Sequence, residues 1–485
     1  MDYLVDIGLE VHAELATRSK MFCSCAVVDP LNAAPNSAVC PICAGMPGTL
    51  PVINKRAVEL AARAALALEC EVQAESIFAR KNYFYPDLPK GYQISQYENP
   101  LAINGRLLID TPQGTRAVRI RRAHLEEDTG KLSHAKDGKT AYSLVDLNRA
   151  GIPLVEIVSE PDLHSAEEAL IYGQELRALL RWLGVSSGDM EKGAMRFEAN
   201  LSLRPAGSSE LGTRVEIKNL NSFRAMHDAL QFEIERQTGV LESGKKVSQQ
   251  TLGWNEAEGR TIAQRSKEEA NDYRYFPEPD LPPLLVDAEW LSTMRAALPE
   301  LPRAARERLM RELRLPLEDA ARLTAERSVA EFFEAAVRAA PNVPARSLSN
   351  WLLGDVFSWL NQNGGSMESL PLRAADFARL VELVQQGAVN PNSARIALVE
   401  MLRSARGADE VIAALGLGQL SDTAQVAGWV AETLRANAVE VQAYLAGKET
   451  VVNWLFGQVM RTAGGRANPA LVKQELQRQL DALKK

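Results

Sequence analysis

Met195-Arg196-Phe197-Glu198-Ala199-Asn200-Leu201-Ser202-Leu203-Arg204 alternates without a break between an apolar and a polar set. Successive side chains of an extended chain point to opposite faces, so this stretch reads as a strand with one face packed and one face polar. The pattern recurs in Tyr3–Glu14, where Tyr3, Val5, Ile7, Leu9 and Val11 oppose Asp6, Gly8, Glu10, His12 and Glu14. Thr213–Leu220 places Arg214, Glu216 and Lys218 together in the same way. One-sided strands suit an antiparallel sheet covered on a single face. Helices interrupt them. Ser165 with Glu168 spells a capping box ahead of leucines 170, 176, 179, 180 and 183, and Gly184 is the stop signal. Asn54 opens another helix that turns Val58, Ala61, Ala62, Ala65 and Leu66 inward. Strands and helices do not alternate strictly, which predicts an α+β fold.

The chain has 485 residues, more than one core usually organises. Hydrophobic residues at 46% and charged residues at 24% are globular values and exclude a disordered or fibrous chain. The net charge of −7 confines any nucleic-acid contact to local basic patches. Met1–Asp6 has neither the basic nor the apolar region of a signal peptide, and no apolar run nears the roughly 20 residues of a membrane span. A cytoplasmic protein with no membrane partner is expected. Beyond about residue 290 helix formers dominate, after an extended connector punctuated by Pro277, Pro279, Pro282 and Pro283. A second break falls near Gly407. The predicted organisation is a body over 1–290 with an insert at 23–43, a helical domain over 291–406 and a helical tail over 407–485.

Cys23 and Cys25, then Cys40 and Cys43, form two tight pairs separated by fourteen residues. Four thiolates converging in a cytosolic protein match the tetrahedral preference of Zn2+, and a closed site of this kind is structural. The intervening loop, with Pro30, Asn32, Pro35 and Asn36, has little apolar material to fold around. The fifth cysteine, Cys70, is expected in a helix as core packing.

Acidic residues gather in four stretches. Glu10 and His12 share a strand face. In the strand that runs through His124-Leu125-Glu126-Glu127-Asp128, His124, Glu126 and Asp128 share a face and Glu127 points away. Glu156 sits among Leu154, Val155, Ile157 and Val158, where a carboxylate is costly without a cation or a proton. Glu198 lies on the polar face quoted first. A solvated sheet face would account for any one of these acids. Together, hard oxygen ligands and one imidazole suit Mg2+ bridging to phosphates, and Arg149, Arg196, Arg204 and Lys218 could neutralise phosphate oxygens. Neither a Walker A sequence nor a glycine-rich dinucleotide loop is present, so bound ATP would lie on a sheet face.

Val145-Asp146-Leu147-Asn148-Arg149-Ala150-Gly151-Ile152-Pro153-Leu154-Val155-Glu156-Ile157 resembles the signature of the GatB/GatE family, the B-type components of aspartyl/glutamyl-tRNA(Asn/Gln) amidotransferases. The resemblance extends through Ile7–His12, Arg80–Lys90, Glu216–Ser222, Asp272–Asp280, Gly457–Arg461 and Gly465–Pro469, covering essentially the whole chain. It implies a glutamine synthetase-like body and a glutamine-hydrolysing ligase that converts Glu-tRNA(Gln), Asp-tRNA(Asn) or both into the amidated aminoacyl-tRNA. The implied role of this chain is to phosphorylate the misacylated side-chain carboxylate with ATP. Ammonia arrives by channel from an amidase (glutaminase) partner, and a small third protein completes a heterotrimer. The implied Mg2+ site uses Glu10, His12, Glu156 and one of the pair Glu126 and Glu127; the alternation selects Glu126. Because a carboxylate is a poor acyl acceptor for ammonia, conversion to an acyl phosphate supplies the leaving group, and shelter from water is then needed. Tyr83, Phe84, Tyr85 and Tyr92 are candidates for that cover.

The residues also say what the chain lacks. No cysteine has a recognisable histidine partner motif and no serine-lysine amidase pattern is present, so ammonia must come from another protein. From Val451 to Lys485 six basic residues, Arg461, Arg466, Lys473, Arg478, Lys484 and Lys485, face only Glu475 and Asp481. Arg461, Arg466 and Lys473 are the candidate tRNA contacts, with phosphate contacts dominant. Two rival readings are a non-catalytic zinc-bearing tRNA-binding scaffold and a ligase acting on a free amino acid, which would have no use for the tail.

Overall fold

The computed structural model describes residues 3–138, 140–264, 273–418, 423–464 and 467–483. Asp272, Arg466, Lys484 and Lys485, all singled out above, lie outside the described residues. The chain divides into two compact units, Met1–Pro302 and Arg303–Lys485.

The first unit is α+β. Its strands in chain order are β1 (Tyr3–Glu14), β2 (Glu71–Val72), β3 (Glu75–Ser76), β4 (Phe78–Asn82), β5 (Tyr92–Gln96), β6 (Ala102–Thr111), β7 (Gly114–Glu127), β8 (Lys131–Asp137), β9 (Thr140–Asp146) and β10 (Pro153–Ser159). They continue as β11 (Met195–Pro205), β12 (Val215–Leu220), β13 (Gln250–Asn255), β14 (Arg260–Ala263), β15 (Phe276–Pro277) and β16 (Leu284–Leu285). Among the described residues, nine form one sheet in the order β14-β13-β12-β11-β1-β10-β7-β6-β2. The sheet is not wholly antiparallel as expected: β12 and β13 run parallel, because helix α3 (Phe223–Glu242) crosses over between them. The proline-rich connector is extended as read, and β15 and β16 pair with β4 and β3.

The alternation in β1 and β11 does what it predicts. Ile7, Leu9, Val11, Phe197, Ala199 and Leu201 are all buried and form one core with Leu60, Leu176 and Leu230. Those three come from α1 (Lys55–Ala67), α2 (Ala166–Trp182) and α3, so the helices cover one face and leave the other polar. Asn54 caps α1 by accepting from the backbone N–H groups of Arg56 and Ala57. Ser165 caps α2 through the N–H of Glu168, but the capping box closes differently: the Glu168 carboxylate accepts from the His164 N–H and holds Arg116 at 2.7 Å. Cys70 is buried as expected but is not helical. The helix stops at Leu68, and Glu69 takes φ 56°, turning the chain into β2.

The second unit is helical. One core runs from Leu309 to Ile412 and another from Val426 to Leu480. No helix among the described residues is long and apolar enough to cross a membrane.

Candidate functional site

Strand register brings the scattered acids together on the uncovered sheet face. His12 of β1 pairs with Glu156 of β10, which pairs with His124 of β7, and on its other side His12 pairs with Arg196 of β11. Two residues along β1, Glu10 stands between Glu198 and Val158. Two residues the other way, Glu14 pairs with Leu154 and Leu154 with Glu126. His12 Nε2 lies 3.4 Å from Glu126 Oε1 and 3.4 Å from Glu156 Oε2, while His124 Nε2 is 3.2 Å from Glu156 Oε2. Donor atoms of His12, Glu126 and Glu156 all fall within 4.8 Å of one another. Glu10 lies beside this trio and accepts a hydrogen bond from Asn200 Nδ2 at 2.8 Å. Glu127 is directed elsewhere, to Lys90 and to the Ile94 N–H at 2.9 Å.

The electrostatics are those of crowded acids. Burial, then Glu156, raises the Glu126 carboxyl above its ordinary range, and burial, Glu156 and Glu198 do the same to Glu10. Burial would raise Glu156 as well, but His124 and His12 hold it well below the usual range. Burial opposes a charged ring at His12, yet Glu156 and Glu126 push it up to about 9. A divalent cation would relieve this repulsion, and the hard carboxylate set with one imidazole fits Mg2+ or a similar ion.

Basic groups ring the acids, most of them already engaged. Arg196 reaches Asp128 at 2.9 Å and Arg149 reaches it at 3.5 Å, while Lys218 pairs with Glu198 and with Glu216. Arg204 is not part of this group. It pairs with Asp6 at 2.7 Å, eight residues along β11 from Arg196, or roughly 26 Å at ~3.3 Å per residue. Beyond Lys218 a cavity of about 340 Å³ opens, lined by Asn219, Gly253, Asn255, Ile262 and Gln264 among others. Gly253 pairs with Lys218, and a Cβ there would stand 2.2 Å from Gln264 Nε2.

Lys81, within the Arg80–Lys90 motif but not among the expected site residues, lies near these acids. Its ammonium lies 5.0 Å over the Tyr273 ring, and it is held charged against burial by Tyr275, Glu126 and Glu156. Tyr275 stacks on Tyr97 at 4.2 Å. Tyr83 packs against Tyr85 and Tyr273, whereas Phe84 is 86% exposed, with one ring edge beside Gly91. The proximity of Lys81 to two acids from distant strands carries no local sequence signal.

The four cysteines converge. Donor sulfurs of Cys23, Cys25, Cys40 and Cys43 lie within 4.8 Å of one another. Lys20, fully buried, donates to Cys43 Sγ at 3.4 Å, to the Ala38 carbonyl at 2.8 Å and to the Leu147 carbonyl at 3.1 Å. The hydrogen bond from Cys23, assisted by Lys20, lowers the Cys43 thiol to about 4. Asn36 and Asn148 add hydrogen bonds that join this loop to Val145–Asn148, just ahead of Arg149. A thiolate set with a buried cation beside it fits a soft, tetrahedral metal.

In the second unit Arg461 and Lys473 are exposed on helices Val451–Thr462 and Pro469–Leu483, and Lys473 lies 5.5 Å over the Phe456 ring.

The model of the GatB/GatE catalytic domain matches residues 5–292, and a second GatB domain model matches 331–480. The chain belongs to the GatB/GatE family. It is 49% identical to the B-type component of the aspartyl/glutamyl-tRNA(Asn/Gln) amidotransferase of Myxococcus xanthus over 99% of each chain. The corresponding protein of Roseiflexus castenholzii is 48% identical over 99% of each chain, and that of Moorella thermoacetica 48% over 99% of this chain and 100% of its own. The family's catalytic model thus covers every acid of the sheet face and all four cysteines.

Proposed function

We propose that this chain is the transamidase component of a tRNA-dependent amidotransferase, phosphorylating the side-chain carboxylate of glutamate or aspartate misacylated onto tRNA(Gln) or tRNA(Asn). The observation that carries the reading is the convergence of His12, Glu126 and Glu156 from three strands, with Glu10 beside them, on one polar face. These four would hold Mg2+, whose chemistry there is to neutralise phosphate charge and align oxygens for in-line transfer. His12 is oriented by Glu156 and Glu126. His124 Nε2 lies 3.2 Å from the same Glu156 oxygen and favours the ionised carboxylate.

The nucleotide has a natural path. The cavity at β13 lies three strand spacings from β1, roughly 14 Å at ~4.8 Å each, about the extended length of a nucleoside triphosphate. A base among the amides of Asn219, Asn255 and Gln264 would send its phosphates past Lys218 toward Glu10, with Arg196 and Arg149 in reach of oxygens displaced toward Asp128. In the first step the bond from γ-phosphorus to the bridging oxygen breaks as one forms to the substrate carboxylate, and ADP leaves. In the second, ammonia attacks the acyl carbon, the carbon–oxygen bond to phosphate breaks, and the nitrogen sheds a proton. Ammonia would come from an amidase (glutaminase) partner, with a small third protein completing a cytoplasmic heterotrimer. The four cysteines would hold a structural Zn2+ that ties the 23–43 loop to the segment before Arg149. Arg461, Arg466 and Lys473 would contact tRNA phosphates.

The test is Glu156→Gln in the assembled enzyme, assayed with misacylated tRNA, ATP and glutamine. Amidation should fall by about three orders of magnitude or more, with tRNA affinity unchanged, since a preorganised charge at the transferring phosphate is lost. Full amidation by that variant would leave only the scaffold reading.

A further inference from the structure

The basic groups on this side of the molecule are almost all spoken for: Arg196 and Arg149 by Asp128, Lys218 by Glu198, Arg204 by Asp6, Arg121 by Glu160. Arg122 is different. Among the described residues it makes neither an ion pair nor a hydrogen bond, and its Nε is sealed from solvent with no acceptor. Desolvating a guanidinium donor without a partner is unfavourable, a penalty that a bound anion relieves.

Its placement is built by the backbone. Ile120 and Ala123 both face the core, so two side chains, Arg121 and Arg122, come between them where a regular strand allows one. The register records the same irregularity: Val158 and Ser159, adjacent in β10, face Arg122 and Ile120 of β7. Such a bulge re-aims side chains. Arg121 turns to Glu160, and Arg122 stays beside the site, its guanidinium carbon 5.7 Å from the Tyr97 ring centroid. Tyr97 in turn stacks on Tyr275, whose hydroxyl feels Lys81, Glu156, Glu126 and Arg122 together. Across the sheet Arg122 pairs with Val158 and Val158 with Glu10, so the guanidinium strand lies two spacings, roughly 10 Å, from the strand of Glu10.

We infer that Arg122 binds the side-chain carboxylate of the aminoacyl group and presents one of its oxygens to the nucleotide's terminal phosphorus. The inference rests on the transamidase reading above. In-line displacement requires the acceptor oxygen opposite the leaving ADP. The cavity and Lys218 stand on the β12–β13 side of Glu10, and Arg122 stands on the β7 side. A planar guanidinium can hold a carboxylate through two parallel N–H donors, which fixes its orientation as well as its position. The adjoining Tyr97–Tyr275 stack keeps the arginine fork from swinging away.

The experiment uses the assembled enzyme with Arg122→Ala and Arg122→Lys, assayed against misacylated tRNA and against ATP. With Arg122→Ala, kcat/KM for misacylated tRNA should fall by about 100-fold or more. KM for ATP and affinity for uncharged tRNA should stay within about twofold, and added guanidinium ion should restore part of the loss. Arg122→Lys should retain intermediate activity, and it carries the test should the alanine variant fail to fold. A rise in KM for ATP at unchanged KM for misacylated tRNA would overturn the inference in favour of a phosphate contact. Unchanged kinetics for both substrates would overturn it outright. A wild-type enzyme that consumes no ATP with misacylated tRNA would instead remove the transamidase reading itself.

Discussion

Lys20 shows how much a single buried charge can determine. Its ammonium has three N–H donors and three acceptors, two backbone carbonyls and Cys43 Sγ, so the sulfur is the one of these three able to balance the charge. Partners of this kind tune a metal's ligands, and Lys20→Met should raise the rate at which a chelator strips the proposed Zn2+ by about 10- to 100-fold. A chromogenic chelator follows that release directly, and unchanged release would remove Lys20 from the metal's surroundings. Asp128 is the counterpart among the acids. Burial works against its charge, but Arg196 and Arg149 hold its carboxyl below the ordinary range. The stabilisation is therefore present above the unfolded value near 4 and is lost as pH falls through the lowered folded value. Asp128→Asn should cost about 3 kcal/mol at pH 7, because two arginines lose their counter-charge. Denaturant unfolding at pH 7 and at pH 3 should show the gap from wild type narrowing at the lower pH; a constant gap would mean that the charge is not what stabilises. The pairing of Cys23, Cys25, Cys40 and Cys43 was legible from spacing alone. Lys20 was not, since nothing in its neighbourhood marks a lysine with zero exposure.

At the scale of elements, period-two alternation identified β1 and β11 with their inward residues, because a half-buried sheet imposes that pattern on any sequence that forms it. Alternation also singled out Glu126 over Glu127 as the one facing His12, and the side chains lie that way. It failed where the regular pattern is broken. The bulge at Arg121 and the parallel β12–β13 pair depend on how neighbouring strands align. Close approach between elements offers a test. At Gly105 of β6 a Cβ would stand 2.3 Å from Cys70 Sγ and 2.7 Å from the Leu68 carbonyl oxygen, the turn that follows α1. Gly105→Ala should destabilise the first unit by about 1–3 kcal/mol, read as a lower melting temperature. Cys70→Ala in the same background should recover only part of it, since the carbonyl contact remains.

For the whole molecule, the proposed function divides labour between chemistry on the sheet of the first unit and RNA binding on the helices of the second. Deleting the tail core from Thr423 onward, which leaves the Leu309–Ile412 core whole, should raise KM for misacylated tRNA at least tenfold while KM for ATP holds, and the residual RNA affinity should lose salt dependence as phosphate contacts disappear. A free-amino-acid ligase would show no change in either constant. What the sequence determined by itself was local: two-faced strands, the spacing of the cysteine pairs, and the long motifs that mark the GatB/GatE family. Only the tertiary structure decided which side chains meet. His12 reaches Glu126 and Glu156 across more than a hundred residues of chain, and Arg122 is left without an ion pair or hydrogen bond among the described residues while Arg121 beside it pairs with Glu160. The physical reason is that backbone ladders set strand order and register through contacts between distant segments. A one-residue shift in that register would carry the same acids to the opposite face.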